Sequence, residues 1–190
     1  MINKLELPDK LRQKVDKELE IGESIRWIGQ PIPRFFTASS IGSFLFAIPW
    51  TGFVIFWVLG ASGASIFFAM FGIPFLIVGF GMLSSPIWFW LSAKNTAYVI
   101  TNKRALSIAI PVTSFGNILS TTIRNYPPSK LKDIYRKERA DGTGDVVMAV
   151  QQSTSNFNNR RNQTTEEIGF MGISNPQEVE KMLRQLAEDD

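Results

Sequence analysis

The chain contains no cysteine and no histidine. Disulfide frameworks, thiolate nucleophiles, imidazole general bases and the common zinc sites are excluded with them. The lack of cysteine also fits a reducing compartment. A second absence is positional: the 59 residues from Phe35 to Ala93 include no Lys, Arg, Asp or Glu, and Arg34 and Lys94 bound the run. A helical crossing of the ~30 Å hydrocarbon core takes roughly 20 apolar residues. The run therefore holds two crossings and a tight connection, and is too short for three. Proton relays, ion pathways and voltage sensors rely on intramembrane ionisable groups, and this run has none.

Whole-chain averages hide this segment. The 190 residues are 45% hydrophobic, with a mean hydropathy close to zero. All 20 Lys/Arg and 17 Asp/Glu lie in the flanks, 1–34 and 94–190. Three segments follow: an N-terminal arm (1–34) too small to be an independent domain, a membrane hairpin (35–93), and a C-terminal part of about 97 residues with room for one small core.

The hairpin divides at Gly60–Ser65, which is small, uncharged and turn-prone. Spans are expected over about 36–59 and 66–90, with bends rather than breaks at Pro49, Pro74 and Pro86. Arg26, Arg34, Lys94, Lys103 and Arg104 lie near the outer ends and the connection carries no charge. The positive-inside bias then places both termini in the cytoplasm, in a multi-pass protein of the cytoplasmic (inner) membrane. Trp57 is expected at the far interface, and Phe35, Phe36, Trp88 and Trp90 at the near one. A cleaved signal peptide does not fit, because 34 charged, patterned residues precede the first apolar run. Ala38 and Gly42, and Gly72, Gly79 and Gly81 in the second span, sit at close-packing spacing. They serve packing of the two spans on each other, or oligomerisation as well.

In the arm, Leu7, Leu11, Val15 and Leu19 recur every four residues, the stripe of an amphipathic helix of about three turns, with Asp9 as cap and Gly22 as stop. Something must cover that stripe: the C-terminal domain, a partner subunit, or the membrane surface. Five basic and five acidic residues between Lys4 and Glu20 weaken the last of these. Ser24–Ile28 reads as a short strand, stopped by the segment Gly29–Pro33.

From Asn95 the period changes. Tyr98–Thr101 and Ala105–Ile110 read as strands joined by a turn at Asn102-Lys103, and Ile118–Tyr126 as a third, ended by Pro127-Pro128. Asp141-Gly-Thr-Gly-Asp145 is a hairpin turn returning as Val146–Val150. Residues 151–165, rich in Gln, Ser, Asn and Thr, read as a mobile loop, and Ile168–Ile173 as the last strand. A closing helix follows, with Asn175 as N-cap, Pro176 at its first position, Glu178 completing a capping box, and Val179, Met182, Leu183 and Leu186 as its buried stripe. The fold class is α+β: a two-helix membrane hairpin plus a small antiparallel β-barrel or sandwich capped by a C-terminal helix.

Tyr98-Val-Ile-Thr-Asn-Lys-Arg-Ala-Leu106 directly after the hairpin, Asp141-Gly-Thr-Gly-Asp-Val-Val147, Gly169-Phe170 with Ile173-Ser-Asn-Pro-Gln-Glu-Val179, and Ile21–Pro31 before the first span occur here in a set order. In that order the chain resembles bacterial pleckstrin-homology-like membrane proteins. The resemblance covers most of the chain. It implies a seven-strand bent barrel capped by a helix and brings no catalytic residues with it. A further expectation is that Ser24–Ile28 adds a strand to that barrel, stapling the two sides of the hairpin.

Asp141–Asp145 lacks the carboxylate spacing of a calcium loop and the lysine of a phosphate loop, so it reads as a turn. The glycosylation pattern at Asn162-Gln-Thr164 falls on the expected cytoplasmic side and is discounted. The basic residues carry more. Between 94 and 139, Lys94, Lys103, Arg104, Arg124, Lys130, Lys132, Arg136, Lys137 and Arg139 face only Asp133 and Glu138. They are read as topology determinants and a solvated face, as contacts to anionic headgroups, or as contacts to an acidic protein. No cofactor or metal is expected. Nucleic acid is not expected either, since no recognition motif and few interleaved aromatics are present. The resulting expectation is a non-enzymatic scaffold module on the lipid bilayer, self-associating or joined to another membrane protein. Sensing of anionic headgroups is the alternative.

Overall fold

The computed structural model describes residues 7–36, 38–110, 121–157 and 160–189, with the backbone alone at 38–39, 152–157 and 160–164. The described residues form two compact units. One comprises 7–32, 94–110 and 121–189; the other is the apolar segment Pro33–Ala93. The arm and the C-terminal part are thus one folded unit, although 61 residues of sequence separate them.

That unit starts with helix α1 (Asp9–Glu18). Pro8, not Asp9, occupies the N-cap position, and Leu19 turns extended, so the helix ends before the expected stop at Gly22. One tertiary and one local contact occupy the chain beyond the helix: the Glu18 carbonyl accepts from Arg104 at 2.9 Å and the Glu20 amide donates to Glu23 at 2.8 Å. Gly22 instead takes φ +78 in the turn that follows.

Strand β1 (Ile25–Gly29) pairs antiparallel with β2 (Thr96–Thr101), from Gly29↔Tyr98 to Ile25↔Thr101 with a bulge near Arg26. β3 (Ala105–Ala109) and β4 (Thr122–Tyr126) complete a four-stranded sheet in the order β1-β2-β3-β4. The strand expected over 118–126 begins at Thr122 among the described residues, and 118–120 lie outside them. A second antiparallel sheet has the order β5-β6-β7, built from β5 (Tyr135–Glu138), β6 (Thr143–Phe157) and β7 (Arg160–Ser174). Among the described residues no strand pairing joins the two sheets, so barrel closure is not seen.

Most of the segment expected as a mobile loop, 151–165, is strand in β6 and β7. Its polar composition misled because a ladder between two strands is held by backbone hydrogen bonds and needs no apolar face.

β2 is buried along almost its whole length because it has cover on both faces. Tyr98 and Ile100 enter the main core with Val146, Phe170, Ile173, Leu183 and Leu186. Ala97 and Val99 lie beneath Leu7, Leu11 and Val15 of the arm. The stripe of the arm is therefore covered by the sheet of its own chain. Tyr98 stacks on Phe170 at 4.6 Å, and Trp27 of β1 stacks on the same ring at 5.9 Å. The Trp27 indole folds back over Gly29, where a Cβ would collide with it.

The C-terminal helix (Pro176–Glu188) closes this core with Val179, Leu183 and Leu186. The expected capping box does not form. Asn175 adopts the left-handed conformation (φ 50) with no side-chain cap, and its carbonyl accepts from the Glu178 amide at 3.1 Å. The Asp141–Asp145 turn is structural: Gly142 takes φ +76, the Asp141 carboxylate accepts from Thr143, and Asp145 accepts from the Gly172 amide at 2.6 Å.

In the apolar unit, one helix runs Ala38–Ala64, straight through Pro49. It includes Gly60–Ala64 of the expected connection Gly60–Ser65. Ala61 and Ala64 favour helix and Ser62 satisfies itself on the Leu59 carbonyl at 2.8 Å, so the connection narrows to Ser65 (φ −161, ψ 130). The second apolar segment returns in three pieces, Ile66–Met70, Ile73–Leu83 and Ser85–Lys94. Pro74 and Pro86 interrupt the hydrogen-bond ladder, but Phe71, Gly72 and Ser84 between the pieces keep right-handed helical backbone, so the helical path continues through both, as expected. Each lies in the first turn of a new piece, and the preceding piece stops where the ring would meet the carbonyl four residues back. Ser40–Ala64 (25 residues) and Ile66–Leu83 (18 residues) are long and apolar enough to cross a membrane.

Candidate functional site

The basic residues of 94–139, which read in the sequence as a group near the apolar run and a second cluster from Lys130 to Arg139, are further divided by the fold. Lys103 and Arg104 follow β2 in the tight turn to β3. Arg104 donates from Nε and Nη2 to the two carboxylate oxygens of Glu23, each at 3.0 Å, and lies 3.2 Å from Glu20. Glu23 also accepts from Thr101 Oγ1 at 2.7 Å. Burial alone would raise the Glu23 carboxyl, but the bonds from Arg104, the Glu20 amide and Thr101 outweigh it and hold its pKa at about 2. Lys103 Nζ donates to the Ile21 carbonyl at 3.3 Å and Asn102 accepts from the Ser24 amide at 2.8 Å. Lys103 and Arg104 therefore hold the arm to the sheet, a role their nearness to the apolar segment did not suggest.

Arg136, Lys137 and Arg139 also have carboxylate partners. Arg136 sits 3.3 Å from Glu180 of the C-terminal helix, and Arg139 bonds Asp145 at 2.7 Å. Lys137 donates to Glu167 at 2.6 Å, which raises the lysine and lowers the carboxyl. Arg124 lies 3.8 Å from Glu166. Lys94 ends the last helical piece, and its carbonyl accepts from Gln30 at 2.8 Å.

Lys130 and Lys132 differ. Both are exposed, and no carboxylate lies within ion-pair distance of either among the described residues. They flank an open groove of ≈ 310 Å³ with Asp133, Tyr135, Met148 and Val150 on its walls. Comparison with protein-family models, with curated proteins and with solved structures finds no match. The functional reading rests on the chain's own geometry.

The small residues of the hairpin also divide. A Cβ on Gly72 would collide with Val58 and one on Gly79 with Thr51, so these two lie where the second segment packs on the first. Gly42 and Gly81 face open space. The side chain of Ala38 lies outside the described residues. Trp57 packs on Phe68 at 5.2 Å and on Phe71 at 6.3 Å, while Trp50 Nε1 donates to the Phe75 carbonyl at 3.3 Å. Phe35 stacks on Trp90 at 5.3 Å, bringing together two residues from opposite ends of the run.

Chemically, the perturbed groups serve structure. Glu23 is enclosed by its partners. Burial raises Tyr98 to about 12, and its hydroxyl accepts from the Met171 amide at 3.1 Å inside the core. Sequence reasoning missed Glu23 and Glu167, the partners that neutralise much of the basic run. Nothing local marks them, because their partners lie 81 and 30 residues away.

Proposed function

We propose that this chain is a non-enzymatic, membrane-anchored interaction module. A pleckstrin-homology-like domain, assembled from both polar segments, is tethered to the cytoplasmic face by the two-helix hairpin. There it associates with further copies or with another membrane protein.

The observation that carries this reading is the β1–β2 ladder. Two neighbouring strands of one sheet must lie on one side of any membrane, and the charge-free run is inserted between them. An even number of crossings follows, and two helices of sufficient length are present. Their side chains support a lipid environment: only 22% and 17% of the apolar windows are buried, whereas the helices of a soluble core are mostly buried. The positive-inside bias supports the cytoplasmic side. Four strands, then three, then a helix packed into one core with both sheets, are the layout that the resemblance implies. A bent, two-sheet barrel is the form we propose.

The cysteine-free chain allows a direct test. Ser65→Cys should react with an impermeant maleimide from outside intact cells, and Lys132→Cys only after permeabilisation. Recovery of the protein in the soluble fraction, or labelling of both positions from one side, would overturn the reading. A second reading, contact with anionic lipid headgroups, is favoured by Lys130 and Lys132, which are exposed beside the groove and have no carboxylate partner among the described residues.

A further inference from the structure

The outer edge of β6 in the β6–β7 hairpin is covered at one end and, among the described residues, open at the other. β5 pairs with β6 from Glu138↔Gly144 to Tyr135↔Val147 and then ends. β6 continues, paired on its other side with β7 from Ala149↔Ile168 to Phe157↔Arg160 without a bulge. Among the described residues, no strand pairs with the β5 side of β6 beyond Val147. A row of backbone donors and acceptors is left there, about 30 Å long at ~3.4 Å per residue.

Exposed edges are ordinarily guarded by charges, prolines or bulges. Residues 146–157 contain no charged residue, no proline and no glycine. The opposite edge strand is guarded, since β7 carries Arg160, Arg161, Glu166 and Glu167.

Charge decides the occupant. An acidic segment would find only Lys130 and Lys132, with Asp133 beside them, at one end of the edge. A basic segment would find no complementary row. A second β6 is neutral over the same length and offers the same edge. Run antiparallel about a two-fold axis, it sets donors against acceptors and opposes no like charges. β5 limits the overlap at one end and the hairpin tip at the other, which centres the axis near Ser153.

We propose that β6 pairs antiparallel with β6 of a second copy over 149–157, giving a local strand order β7-β6-β6-β7. This names the surface for the self-association proposed above and rests on that reading.

Ser153 then faces Ser153 of the second copy with Cα atoms about 4.5–5.5 Å apart, within disulfide reach. The full-length Ser153→Cys variant, oxidised in its native membrane, should form a cross-linked dimer several-fold more efficiently than Gln163→Cys on β7. Residue 151 of one copy then lies opposite 155 of the other. Adding Gln151→Lys with Ser155→Lys should abolish the cross-link, and Gln151→Lys with Ser155→Glu should restore it. The interface is overturned if Ser153→Cys cross-links no better than the β7 control, or if the charge-swapped pair behaves like the double lysine. Light scattering of the wild-type chain in mild detergent separates the two levels. An oligomer without the Ser153→Cys cross-link removes the β6 interface and leaves self-association standing; a monomer removes both.

Discussion

Glu23 and Arg104 meet through two parallel hydrogen bonds of 3.0 Å across a sequence separation of 81 residues. The Glu23 side chain has no solvent exposure and Arg104 retains 17%. One ion pair thus fixes the arm to the turn between β2 and β3. The planar fork of arginine suits this two-point contact better than a lysine ammonium would.

That pair makes stability acid-sensitive. A carboxyl with a depressed folded pKa contributes fully above its unfolded value and loses the contribution as pH falls through the folded one. For Glu23 the window runs from about 4.5 down to about 2. The Tm of the detergent-solubilised chain should fall across it. Removing one partner of a buried pair costs ~3–5 kcal/mol; with Glu20 still beside Arg104, Glu23→Gln should lose about 3 kcal/mol at neutral pH and show a shallower acid slope. An unchanged slope in Glu23→Gln, by circular dichroism melts, would exclude this assignment.

Leu11 has 0% exposure beneath the first sheet. Leu11→Ala should therefore cost about 2–5 kcal/mol, read as a lower unfolding midpoint in denaturant. A helix lying on the bilayer would instead show weaker membrane retention with an unchanged midpoint. Deleting 1–30 should have a larger effect, since it removes β1 together with the cover of one face of β2.

The hairpin glycines should separate by position. Gly72→Ala and Gly79→Ala force a methyl against Val58 and Thr51, at ~1–3 kcal/mol each. Gly42→Ala and Gly81→Ala meet open space and should be neutral or stabilising by up to ~1 kcal/mol. Thermal stability in a single detergent distinguishes them. Equal effects at all four positions would mean that the segments pack differently.

Headgroup contact predicts a contrast among the lysines. At ~1 kcal/mol per basic residue near an anionic surface, Lys130→Gln with Lys132→Gln should weaken capture of anionic vesicles by amphipol-held full-length protein by about thirtyfold. Lys137→Gln should matter less, because Glu167 already neutralises that side chain. Capture independent of anionic lipid would eliminate the headgroup reading.

The parts legible in the sequence were those carried by a period or a gap. The four-residue repeat of Leu7, Leu11 and Val15 and the stripe of the last helix report burial directly, while the uncharged run reports two long apolar helices whose side chains stay largely exposed. The β1 strand was also readable, from Ser24–Ile28 and the stop after it. The parts that were not legible depend on contacts distant in the chain. The end of α1 meets Arg104, the strand character of 151–157 is set by its partner on β7, and the basic face by Glu23 and Glu167. Pro74 and Pro86 were legible as points where the helical ladder is interrupted without the path leaving the helical region.

The β1–β2 ladder has a consequence for biogenesis. During synthesis β1 leaves the ribosome first, and its partner strand is made only after the whole apolar run. Until then β2's neighbour waits unpaired, and the Leu11 stripe has no sheet to cover. If the hairpin enters the bilayer, insertion itself returns the chain to the side it left and brings the two strands together. Folding of the polar domain would then depend on insertion: a chain that fails to insert both helices leaves β1 without its partner strand.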